Sequence, residues 1–247
     1  MAQCKTSPEV GGMGHSVKRK EDPRFIRGQG NYVDDVVRPG MVFMDIVRSP
    51  YAHAKIKSIN TEKALAHPGV AAVITGETLK EYNLHMMPTL MSDTQMVLPI
   101  EKVCYQAQEV AAVIATDRYS AADGVELVEV EYEPLPVVVD PHKATDPDAP
   151  IIRDDKEGQD SNHIFHWEAG DKKGTDDVFK KADVVVKENI YLPRIHVASI
   201  ETCGCVSEFD SVSGQLTVWM TTQAPHAIRT VLALVAGHVG LREDKIR

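Results

Sequence analysis

The sequence predicts an α+β chain built in two parts. Three observations point there. Between residues 41 and 136, short runs of alternating or continuous apolar residues take turns with short helical patterns. Residues 141–162 then break this order with prolines, acids and few apolar groups, the composition of a linker. A second unit, 163–247, reads as helix, strands, a hairpin and a closing helix.

The first 19 residues, Gly-rich and then basic, are expected to form a flexible arm. Gly11, Gly12 and Gly14 do not make a dinucleotide fingerprint, because no strand precedes them and no helix follows. Residues 20–140 form the first domain. Its opening, KRKEDPRFIRGQGNYVDDVVRPG, is punctuated by Gly28, Gly30, Pro39 and Gly40 and reads as loop. MVFMDIVRS (41–49) and AKIKSIN (54–60) alternate as strands. Asn60 and Thr61 suit the start of a helix over TEKALAH, which His67-Pro68-Gly69 stops. VAAVIT (70–75) reads as a buried strand, and TGETLKEY as a further helix.

Residues 83–102 hold four methionines without a period, and a long loop is expected there. The stretch 103–116 contains a strand or strand pair. Asp117 can cap the helix RYSAADGVELV, and VEVEYEPLP (128–136) sets valines and Tyr132 against Glu129, Glu131 and Glu133 as a half-exposed strand. Those glutamates read as a solvated face.

In the second unit, SNHIFHWEAG is expected to be extended and to end in a turn. GTDDVFKKA should be a helix with Val178 and Phe179 inward, and DVVVKENIYLPR (183–194) a long strand. HVASIETCGC turns into CVSEFD, DSVSG makes a hairpin, and QLTVWMTT returns. A polar elbow, TTQAPH, precedes a helix in which Ile228, Val231, Leu232 and Val235 fall on one face. The final LREDKIR looks like the approach to another strand, so the chain is expected to stop in mid-fold.

The elbow carries the chemistry. Pro225 suits a first helical turn, where its missing N–H is not needed. Thr222 and Gln223 therefore stand at a helix mouth, where free N–H groups and the positive dipole end favour an anion or oxo group. His226 could face the same ligand. The plainer reading makes Thr222 or Gln223 a cap only. Other clusters are weaker. Cys203, Cys205 and His196 supply three ligands where a closed zinc site needs four. His163 and His166, on an extended segment, would face opposite sides. No metal ligands are assigned.

Composition narrows the class. A net charge of −9 argues against nucleic-acid or anionic-membrane surfaces. Four scattered cysteines give no disulfide framework, and a reducing, cytoplasmic compartment is expected. There is no long apolar run and no hydrophobic signal core.

Taken in order, RFIRGQGNYVDDVVRPGMVFMDIVRSPYAHAKIKSI, LVEVEYEPLPVVVD, NHIFHWEAGD, IETCGC and TTQAPH resemble the large subunits of molybdenum hydroxylases, the xanthine dehydrogenase and aldehyde oxidase superfamily. Within it they are most similar to the aerobic carbon monoxide dehydrogenase branch. The resemblance runs from about Lys18 to Arg247. It implies an α/β hammerhead domain over 20–140 and the beginning of a molybdopterin-binding domain over 163–247. It also implies molybdopterin cytosine dinucleotide with molybdenum, and copper in the carbon monoxide branch. Partners would be a medium flavin subunit carrying FAD and a small iron–sulfur subunit carrying [2Fe-2S] clusters, assembled as a dimer of heterotrimers.

Gln223 matches the family glutamine that donates to a molybdenum oxo ligand. Glu201 matches an acidic position in the family's IETC-like turn, with a structural or near-cofactor role. The glycine-rich loop, the copper-holding cysteine loop and the basic glutamate of the family are absent, and the chain alone is expected to be inactive. The function implied is oxidation of carbon monoxide with water. A sibling hydroxylase acting on an aldehyde or N-heterocycle, and a non-catalytic docking module, are the rival readings.

Overall fold

The computed structural model describes residues 16, 18–89, 93–154 and 159–247. Most of the N-terminal arm, with Cys4 and Gly11, Gly12 and Gly14, lies outside the described residues.

The core forms around one strand. Glu109–Ala115 (β7) is an almost unbroken apolar run, so both its faces can be covered. It lies between Phe43–Arg48 (β1) and Val70–Thr75 (β3), antiparallel to both. Its side chains alternate between two packing environments. Ala111 and Val113 pack with Val47, Ala64 and Val128, while Val110 packs with Ala54 and Val103. The second group belongs to a sheet of Lys102–Val103 (β6), Ala54–Asn60 (β2) and Glu129–Pro134 (β8), in that order. Ile59 and Val130 touch both clusters and join the two sheets.

Helices cover this core where the sequence places their caps. Asp117 accepts hydrogen bonds from the N–H groups of Tyr119 and Ser120, both at 2.9 Å, and starts Arg118–Leu127 (α4). That helix packs so closely that a Cβ on Gly124 would stand 2.7 Å from Val113 Cγ1 and 2.8 Å from Val70 Cγ2. Glu62–Leu65 (α2) and Gly76–Glu81 (α3) follow their strands as expected, the latter capped by Thr75. Asp22–Phe25 (α1) and a single 3-10 turn at Val33–Asp35 interrupt the leading loop.

The segment 83–102 is more ordered than its composition suggested. Met86–Pro88 (β4) pairs antiparallel with Thr94–Met96 (β5), and His85 O accepts from Val97 N at 2.8 Å. The pairing is short, and its two methionines and proline carry no period-2 signal, which is why a loop was the natural reading.

In the second unit, Cys205–Asp210 (β9) and Gln215–Met220 (β10) form the expected hairpin, with Gly214 at a positive φ of 67° in its turn. Pro225–Ala236 (α6) follows, and Ile228, Val231, Leu232 and Val235 are its half-buried stripe. Three expectations fail here. Residues 163–169 form no strand. The helix Lys172–Lys181 (α5) leaves Val178 and Phe179 exposed and has no buried residue along its length. Residues 183–194 form no strand either, since no neighbouring strand offers them a ladder.

Candidate functional site

The site region is assembled from three motifs far apart in sequence. Glu201, in the IETCGC turn, accepts from the N–H of Val33 at 3.1 Å, tying that turn to the GNYVDD loop. On the other side of the turn, Gly204 O accepts from Thr221 N at 3.1 Å, and Thr202 O accepts from Thr221 Oγ1 at 3.4 Å. IETCGC is thus the hub between the leading loop and the TTQAPH elbow.

A charged clasp lies beside it. The Arg38 guanidinium donates to Glu208 on β9, with Nη2 2.8 Å from Oε2, and sits 5.6 Å from the ring centre of Trp219 on β10. Across the sheet pairing, Trp219 lies opposite Val206, so the cation covers the hairpin face that turns toward the first domain. Neither Arg38 nor Trp219 was singled out from sequence. The RPG turn after Arg38 was visible, but its partner is 170 residues away and no local spacing reveals it.

A cleft of about 1070 Å3 opens between these elements, lined among others by Tyr32, Arg38, Phe43, Glu201, Cys203 and Glu208. Arg118 and Asp34 pair at its rim, and Arg118 stands 5.4 Å from the Phe43 ring centre. Cys203 and Cys205 are exposed along this cleft, and His196 does not join them in any metal-holding group among the described residues. His163 and His166 hold their ring centres 6.4 Å apart, also without forming such a group.

The elbow itself is open. Thr222 Oγ1 accepts from Ala224 N at 3.1 Å, a local turn that leaves the hydroxyl proton free to donate. Ala224 is the N-cap residue, with no side-chain cap on the helix, and Pro225 occupies the first turn. That turn contains no acid, so no carboxylate competes for its N–H groups. Thr222, Gln223 and His226 are all exposed around this helix mouth. Gln223 does not line the cleft beside IETCGC; the structure connects the two through Thr221. Thr222 therefore does not cap α6, contrary to the plainer reading, because its oxygen accepts from the N–H of the N-cap residue Ala224 and not from an N–H inside the first turn.

Comparison with known proteins agrees with this arrangement. Residues 27–136 match the family model for the aldehyde oxidase and xanthine dehydrogenase a/b hammerhead domain. Residues 155–247 match the model for the molybdopterin cofactor-binding domain. The chain belongs to the aldehyde oxidase and xanthine dehydrogenase family. Among its xanthine dehydrogenase family relatives, the carbon monoxide dehydrogenase large chain of Afipia carboxidovorans is 57% identical over 244 residues, spanning 95% of this chain and 30% of that protein. The nicotine 6-hydroxylase large subunit of Paenarthrobacter nicotinovorans is 33% identical over 241 residues, spanning 95% and 29%. A crystal structure of Cu,Mo-CO dehydrogenase in its carbon monoxide reduced state superposes with a TM-score of 0.82 at 56% identity, over 95% of this chain and 30% of that one. The chain thus spans about 30% of the length of these relatives. The fold is that of a hammerhead domain followed by the start of a molybdopterin-binding domain.

Proposed function

We propose that this chain forms part of the molybdenum-bearing large subunit of an aerobic carbon monoxide dehydrogenase. The observation that carries the reading is the gap in identity: 57% to a carbon monoxide dehydrogenase large chain against 33% to a nicotine hydroxylase, over nearly the same residues. One fold hosts many substrates, so the shared fold does not choose between these relatives, and the wide gap in identity supports the choice.

The group to be held is a molybdenum cofactor, in the form of molybdopterin cytosine dinucleotide. The residues at the mouth of α6 fit it. They offer uncapped N–H groups, a hydroxyl and a neutral amide, and no acid in the first turn. Gln223 would hold the group through its amide N–H, donating to an oxo ligand without adding charge. The Thr222 hydroxyl and the helix dipole would favour the same partly negative oxygen. His226, exposed in the first turn, would close one side of the site.

When bound, the molybdenum cofactor, with copper in this branch of the family, would supply the two-electron chemistry that turns carbon monoxide and water into carbon dioxide and two protons. The chain's own residues hold and orient that group. The electrons would leave through [2Fe-2S] clusters on a small subunit to FAD on a medium subunit, the assembly being a dimer of heterotrimers.

The test uses the complex that contains this chain. Molybdenum and copper are quantified per large subunit, and dye reduction is followed with carbon monoxide, nicotine, an N-heterocycle and an aldehyde. Carbon monoxide should be the preferred substrate. Preferred turnover of an aldehyde or heterocycle would replace the reading with that of a sibling hydroxylase, and absence of cofactor would leave a docking module.

A further inference from the structure

Arg153, in the stretch between the two units, grips the β4–β5 hairpin. Its side chain is only 19% exposed, and that of Asp93 only 11%. Arg153 Nη2 donates to Thr94 O at 2.6 Å, and Nη1 donates to Asp93 Oδ2 at 3.4 Å. Thr89, the residue after β4, closes the other side. Its hydroxyl donates to the same Asp93 oxygen at 3.1 Å, and its N–H donates to Asp93 O at 2.7 Å. One guanidinium thus reaches the loop ends of both strands, β5 directly and β4 through Asp93.

Arg153 is itself anchored on both sides. Ile152 N donates to Asn162 Oδ1 at 2.8 Å, and Asn162 Nδ2 donates to Ala144 O and Pro150 O, both at 2.9 Å. The Cys104 thiol donates to Ile152 O at 3.6 Å, and Lys102 Nζ on β6 stands 2.5 Å from Asp154 Oδ1. The hairpin in turn bears on the second unit. α6 packs on β4. His238 Nε2, just past that helix, donates at 3.0 Å to Tyr82 O, shortly before β4.

Two magnitudes decide what this grip does. A buried ion pair adds little net stability, because desolvation offsets its attraction, whereas removing one partner alone strands a buried charge and is costly. Placement is the more sensitive quantity. Pro225–Ala236 is about 18 Å long, so a tilt of about 3° about its C-terminal end moves its mouth by about 1 Å. A misplacement of about 1 Å can lower a rate about 100-fold.

We propose that Arg153 is a positioning residue: by gripping the β4–β5 hairpin it sets the bed of α6, and so the place of Gln223 at the helix mouth. This rests on the role of Gln223 proposed above and is independent of the substrate.

The test uses the complex that contains this chain, with Arg153→Met and with the double variant Arg153→Met/Asp93→Asn. The readouts are melting temperature, molybdenum per large subunit, amide exchange in α6, and kcat and KM for whichever substrate is turned over fastest. Arg153→Met should melt lower, whereas the double variant, which strands no charge, should melt close to the parent. In both, exchange in α6 should quicken at least about tenfold. In both, kcat per bound molybdenum should fall at least about tenfold, with KM within about twofold of the parent. The proposal is overturned if losses of kcat merely follow the melting temperature across the variants. It is overturned equally if the double variant matches the parent in exchange and in kcat per molybdenum while Gln223→Ala still lowers turnover. If Gln223→Ala leaves turnover unchanged as well, the proposal and the role of Gln223 fall together.

Discussion

Asp117 shows how single residues set both the fold and its response to pH. Hydrogen bonds, first from the Ser120 N–H and then from its hydroxyl, hold the Asp117 carboxyl below its ordinary value. A carboxyl depressed in the folded state adds stability that is full above its unfolded pKa of 3.8 and is lost as pH falls through the lower folded value. Asp117→Ala should therefore lower the melting temperature at pH 7, with the gap from the parent chain narrowing below about pH 4; thermal melts across pH 3–7 measure it. A gap that stays constant down to pH 3 would mean that the carboxylate charge has no part in the cap. Arg38 and Glu208 form a different case. Their side chains are 43% and 39% exposed, so solvent screens the pair, and a double-mutant cycle should give a coupling of about 0.2–1 kcal/mol. The clasp therefore orients the hairpin against the first domain more than it stabilises it. Such a pair is invisible in sequence, where only the TTQAPH elbow carries a local signal and Glu201 stands out through the family resemblance alone.

Among the elements, α4 sits tightly on its sheet. Gly124→Ala places a methyl group against Val113 and Val70 at distances that no relaxed contact adopts, and Val113 is already fully buried. The better helix propensity of alanine is worth about 1 kcal/mol. Overpacking costs about 1–3 kcal/mol, so the substitution should destabilise on balance, as chemical denaturation would reveal. A stabilised variant would mean that α4 can lift from the sheet. The strands and helices of 41–136 were legible because each buries one face within the same short stretch, so periodicity and caps agree. The β4–β5 hairpin was missed because its pairing is brief and its residues are methionine and proline. The strand expected at 183–194 does not form: its β-branched pattern suits a strand, but pattern alone does not supply a partner. Val178 and Phe179 failed for a similar reason: an apolar helix face does not by itself guarantee burial, and both stay exposed.

For the molecule as a whole, the candidate site was half legible. Pro225 and the apolar spacing after it located a helix mouth, and the structure places Gln223, Thr222 and His226 there, exposed, with no side-chain cap on the helix. The hub role of IETCGC, which joins that mouth to the leading loop through Thr221 and Glu201, depends on contacts across 168 residues and needed coordinates. Gln223 is proposed to serve the molybdenum cofactor from the mouth of α6. It is tested most directly by carbon monoxide turnover per bound molybdenum in the assembled complex carrying Gln223→Ala. A lost donor to a developing oxyanion lowers turnover by about 100-fold, and a fall of that order is expected with molybdenum content unchanged. Turnover per molybdenum within about twofold of the parent complex, well inside the loss expected for such a donor, would contradict it.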